Sequence, residues 1–140
     1  MMYRQRLRVL PVLVALTFVA CDAQDPFEIP TSPDPAPIIT ETFSGTVTQN
    51  GARAHSFATQ ASGSVTATLK FLVPDPAVQM GFALGTWNGS SCSLVIAKTD
   101  AVESTVIIGA VSALGNLCVY IHDVGNLRAP TEYEIEVLHP

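Results

Sequence analysis

Positive charge is scarce in this 140-residue chain, with seven lysines and arginines against twelve aspartates and glutamates. Three of the seven, Arg4, Arg6 and Arg8, fall in the first eight residues, and every acid lies beyond residue 21. From residue 22 onward, four basic side chains (Arg53, Lys70, Lys98 and Arg128) stand against twelve carboxylates, a net charge of −8. Such a chain has no basic footprint for a phosphate backbone, so nucleic acid is excluded as a partner. Anionic headgroups repel it, so any attachment to a membrane requires an anchor. The sequence also lacks an apolar run long enough to span a bilayer as a helix, which takes about 20 residues. It has no convincing amphipathic helix, no glycine-flanked serine of the nucleophile-elbow kind, and no His or Cys pair at zinc spacing. These absences leave no catalytic constellation, and no cofactor is implied.

What is present begins with a leader. Met1–Arg8 is basic, and Val9–Ala20 is a twelve-residue apolar run broken only by Pro11 and Thr17. Those lengths and flanks suit a secretory signal. Ordinary cleavage after Ala20 would place bulky Phe18 at the −3 position, where a small residue is wanted. Phe18-Val19-Ala20-Cys21 instead resembles a bacterial lipobox, with Phe18 in place of the usual leucine. The resemblance implies that residues 1–20 are removed and that Cys21 is lipidated. Each buried methylene then contributes about 0.8 kcal/mol, and two or more acyl chains anchor stably where one does not. Asp22 follows the cysteine, but whether it directs the protein to one membrane depends on the lineage, so the leaflet stays open.

Residues 21–40 read as a tether. Pro26, Pro30, Pro33, Pro35 and Pro37 occur without apolar periodicity, which predicts an extended, polyproline-like spacer. At about 3.1 Å per residue, the stretch Ala23–Thr40 would hold a domain up to roughly 55 Å from the lipid surface.

From residue 41 the pattern changes to short strands and turns. Strands are expected over Thr42–Thr48, Ala54–Ala58, Ser64–Phe71, Val78–Thr86, Cys92–Ala97, Ser104–Ala110, Gly115–Asp123 and Tyr133–His139. Asn50-Gly51 carries hairpin-type turn chemistry. Val65, Ala67, Leu69 and Phe71 share one face of their strand by period two, as do Val78, Met80, Phe82 and Leu84 of the next. Gly81, Ala83 and Gly85 leave that second strand with a small outer face suited to close approach by another backbone. Val106 and Ile108 are the apolar anchors of the sixth strand, and Lys98-Thr99-Asp100 ends the fifth. About eight short strands at turn spacings of roughly 8–12 residues predict an all-β, jelly-roll-like antiparallel sandwich over residues 41–140.

Three stretches give that domain a family resemblance. They are Glu41–Val47 followed by His55-Ser56-Phe57; Gly63–Leu69; and Gly115–Ile121 followed by Tyr133–Val137. In this order they resemble the bacterial pre-peptidase C-terminal domain. The resemblance implies a small noncatalytic β-sandwich of an accessory or binding kind, and transfers no ligand residues. That family usually accompanies a hydrolase, which this chain does not contain.

The candidate sites are few. Cys92 and Cys118 remain as a domain pair once Cys21 is assigned to the leader, and a disulfide between them is expected in an oxidising compartment. His55-Ser56 and His122-Asp123 are sequence neighbours, so their side chains point to opposite faces of a strand and cannot form a direct pair; these two histidines and His139 are expected at the surface or beside turns. Asp123-Val124-Gly125-Asn126 has turn chemistry and, with Glu132, offers a few of the six or more oxygens a calcium ion needs. Trp87 is either packing at a strand end or an exposed platform for sugar. The chain therefore reads as a lipid-anchored, noncatalytic module of a bacterial cell envelope. Its domain lies in the periplasm or at the cell surface, and its partner is an envelope protein or a glycan. A calcium-dependent accessory domain and a cryptic hydrolase are the competing readings.

Overall fold

The computed structural model describes residues 34–140; Cys21, the leader and most of the expected tether lie outside the described residues. Among the described residues there are eight β-strands and no helix: β1 (Ile39–Val47), β2 (Ala52–Thr59), β3 (Gly63–Val73), β4 (Met80–Trp87), β5 (Cys92–Ala101), β6 (Val106–Val111), β7 (Gly115–Asp123) and β8 (Thr131–His139). They form two antiparallel four-stranded sheets in the orders β1-β8-β3-β6 and β2-β7-β4-β5. This is the interleaved strand order of a jelly roll. Only β4 and β5 are both consecutive in sequence and paired. Asn50-Gly51 is thus not a hairpin turn; it carries the chain from one sheet to the other, with Asn50 at φ 56° and the Gly51 N–H donating to the Thr48 carbonyl at 2.8 Å. The first strand starts at Ile39, so the expected tether loses its last two residues to the sheet.

Alternation builds the core. Tyr133, Ile135 and Val137 of β8 and Val65, Ala67 and Leu69 of β3 face Phe82 and Leu84 of β4 and Leu117, Val119 and Ile121 of β7, all buried. Two strands depart from the expected phase. The β3–β8 register slips between Leu69 and Phe71. The extra residue, Lys70, turns the following side chains over, so Leu72 enters the core in place of Phe71, which is only partly buried. In β6, Ile107 is the buried residue, while Val106 and Ile108 are 42% and 65% exposed, the reverse of expectation. The segment Val-Ile-Ile-Gly-Ala-Val offers apolar residues of both parities, so periodicity alone does not choose a face. The fifth strand continues through Lys98, Thr99 and Asp100 to Ala101 instead of turning there. An edge strand with solvent on one side tolerates those polar residues.

Strand β4 is buried on both faces from Met80 to Gly85, although only one face meets the other sheet. Its outer residues Gly81, Ala83 and Gly85 lie opposite His122, Tyr120 and Cys118 of β7. A side chain on Gly81 would run into the His122 ring. The expectation of close backbone approach holds at Gly85, where a Cβ would collide with the Ser93 carbonyl of β5.

Candidate functional site

That approach at Gly85 positions the cysteines. Cys118 on β7 and Cys92 on β5 flank β4, and strands two apart in a flat sheet are separated by roughly 9–10 Å. Here the β4–β5 register breaks between Leu84 and Gly85, the start of β5 folds over the glycine, and the two Cα atoms come within 5.8 Å to form the Cys92–Cys118 disulfide. The bridge lies on the outer face of the sheet and clamps the end of an edge strand.

Of the three histidines expected at the surface or beside turns, only His139 is interior; His55 and His122 are half-buried. At the seam between edge strands β1 and β2, His55 shares a 2.7 Å hydrogen bond through Nε2 with the Tyr133 hydroxyl and stacks on Phe43 at 5.0 Å. Gly45 makes room for that hydroxyl, which lies 2.8 Å from where its Cβ would be. Burial, and secondarily the Arg53 guanidinium, hold the His55 pKa below its ordinary value, and burial raises that of Tyr133. His139, 1% exposed, packs on Phe57 and bonds Glu41 Oε1 through Nε2 at 2.9 Å. Each of these two rings is committed to tying β1, β2 and β8 together. Ser56 points outward, away from His55, as strand alternation requires. His122 covers Gly81 and packs against Tyr120 at 5.3 Å.

Asp123 is equally committed. Its Oδ2 accepts the Asn50 N–H at 2.9 Å, and its Oδ1 accepts the N–H groups of Gly125, Asn126 and Leu127 at 2.8, 2.9 and 3.1 Å. The Asn50 bond above all, with the other three, pulls its pKa below the ordinary carboxylate value against the opposing effect of burial. The carboxylate thus holds the β1–β2 and β7–β8 turns together, and both its oxygens are engaged. No group of three or more His, Cys, Asp or Glu side chains that could hold a metal ion converges among the described residues. Trp87 ends β4 half-buried, opposite Cys92.

A different feature has the character of a binding site. At the side of the sandwich where β5 and β6 form the two edges, the sheets part around a cleft of about 330 Å³. Val65, Leu84, Ile96, Val111, Leu114 and Leu117 supply its apolar walls, with Thr59, Thr86, Ser112 and Asn116 as the larger polar members, and no charged residue lines it. Gly109 lets the sheets meet beside it, since a Cβ there would sit 2.8 Å from Leu84 Cδ2. Of the lining residues, Val95 and Leu114 are 71% and 72% exposed, and Leu94, Val106 and Ile108 on the two edge strands are exposed by 42–65%. Few side chains at this site stood out in the sequence, because the lining is gathered from β2 through β7 and the loop Ser112–Leu114. The one legible signal was the uncharged stretch from Ser104 to Asn116.

No family model matches the chain, and no curated protein sequence matches it. Among solved structures it is similar to the crystal structure of Aeromonas hydrophila PliG, a periplasmic lysozyme inhibitor of g-type lysozyme. The identity is 12% and the TM-score 0.48, over 71% of this chain and 84% of that one.

Proposed function

We propose that this protein is a lipid-anchored, noncatalytic binding module of a bacterial cell envelope, with a sandwich of the pre-peptidase C-terminal kind. Its binding surface is the β5–β6 cleft. The observation that carries this reading is an uncharged, apolar cleft with Val95 and Leu114 exposed beside it, set in an otherwise acidic domain. Monomeric soluble proteins rarely keep such patches without a partner for them. Apolar walls suit a protein segment better than a glycan, whose hydroxyls would lose hydrogen bonds there. The noncatalytic reading draws on His55, His139 and Asp123, whose polar atoms are occupied in holding strands and turns together. The anchor reading draws on Cys21 and the leader before it.

The experiment has two readouts in cells making the full chain. Wild-type protein should partition with membranes and take up labelled palmitate, and Cys21→Ser should do neither; palmitate labelling of that variant sinks the anchor. A photo-crosslinking residue at Leu114 should form an adduct, whereas one at Thr42, on the outer face of β1, should not. Equal labelling at the two positions rejects the cleft as the binding surface.

A further inference from the structure

The sandwich has four edge strands, β1, β6, β2 and β5. An open edge is a template for pairing with another chain, and charged residues are the usual protection. Strand β1 carries Glu41, β2 carries Arg53, and β5 carries Lys98 and Asp100. Strand β6, Val106-Ile107-Ile108-Gly109-Ala110-Val111, carries no charge and no proline, and its register with β3 runs from Val106 to Val111 without a bulge. It is the one unprotected edge among the described strands, and it borders the cleft.

We propose that β6 pairs antiparallel with β6 of a second copy of this chain, joining the two first sheets into one eight-stranded sheet across a twofold axis. This rests on reading the β5–β6 side as the interaction surface and names its occupant. Three observations select a second copy. First, residues opposite one another in an antiparallel pair share a face. Placing Ile108 on the twofold sets Val106 against Ala110 on the exposed face and Ile107 against Gly109 on the inner face, so the strand complements itself without a mismatch. Secondly, the residues from 22 onward carry a net charge of −8, so two copies repel least where they meet on an edge without charge, and this edge has none. The row Glu132, Glu134 and Glu136 lies on β8, with β3 between it and β6. Thirdly, five of the eight exposed large apolar residues (Leu94, Val95, Val106, Ile108 and Leu114) lie on β5, β6 and the turn after it.

The test uses the full chain. Ile108→Cys should form a disulfide-linked species of twice the chain mass in the envelope under mild oxidation, because the twofold brings the two positions opposite each other. The purified lipoprotein in a non-ionic detergent should sediment as a dimer, and added salt should strengthen association by screening the acidic charge. Ile108→Lys should convert it to a monomer; since Ile108 is 65% exposed the fold should survive, and Ile108→Thr, which keeps strand propensity, should weaken the dimer at least tenfold. A wild-type monomer at the highest soluble concentration, or a dimer unaffected by Ile108→Lys, overturns the proposal. Cross-linking of Ile108→Cys to a different envelope protein also overturns it, but leaves the binding role of this side standing. Failure of both Ile108→Cys and the Leu114 probe to cross-link anything removes both readings.

Discussion

Asp123 illustrates how much a single side chain is asked to do. Four backbone N–H groups from two turns converge on its carboxylate. Asp123→Ala should lower stability by about 1–3 kcal/mol, the usual cost of leaving such donors unpaired. Asp123→Asn should fall between the two, keeping the Oδ1 acceptor and losing the Asn50 bond; urea unfolding resolves the series. His55 makes a prediction of pH dependence. Its folded pKa lies below the ordinary value of about 6.5, so the unfolded chain binds the proton more readily. Its contribution to stability is present above that value and is lost as pH falls below it. Between about pH 7.5 and pH 5 the melting temperature of the wild type should fall more steeply than that of His55→Gln, which retains a partner for Tyr133 but does not titrate. Parallel curves would remove His55 as the source. At this scale the sequence was informative about what neighbours cannot do, as with His55 and Ser56, but not about burial. His139 is enclosed by Phe57 and Glu41, which lie 82 and 98 residues away in the chain, and no local pattern reports that.

Elements were more legible than their faces. Strand β7 occupies the expected residues, and the alternation in β4 and β8 places the expected side chains in the core. The failures have specific physical origins. One inserted residue, Lys70, reverses the phase of β3, and β6 has no polar residues to mark its outer face. The paired cysteines were visible in the sequence, but the device that brings them together, Gly85 lying beneath the Ser93 carbonyl, depends on strand register. Replacing Cys92 and Cys118 by alanine should cost roughly 3–4 kcal/mol by the chain-entropy argument for a loop of this length. Gly85→Ala should approach that loss and leave reactive thiols detectable by alkylation. In the cysteine-free background it should add no more than about 1 kcal/mol, because strand and bridge fail as a unit. Fully additive losses would separate the glycine from the disulfide.

For the molecule as a whole, the all-β class could be read from eight alternating segments, whereas the order of strands could not. Five of the six strand pairings join strands that are not consecutive in sequence, with no hairpin to guide them, and the cleft exists only once both sheets are in place. The same order governs when the fold can appear. Strand β8 is the last of the eight, yet it lies inside its sheet between β1 and β3. Strand β7 is likewise interior, between β2 and β4. As the chain is made, neither sheet is complete until residues 115–139 are free to join. Contacts so distant in sequence form slowly. A chain built this way cannot close either sheet until its last two strands are available.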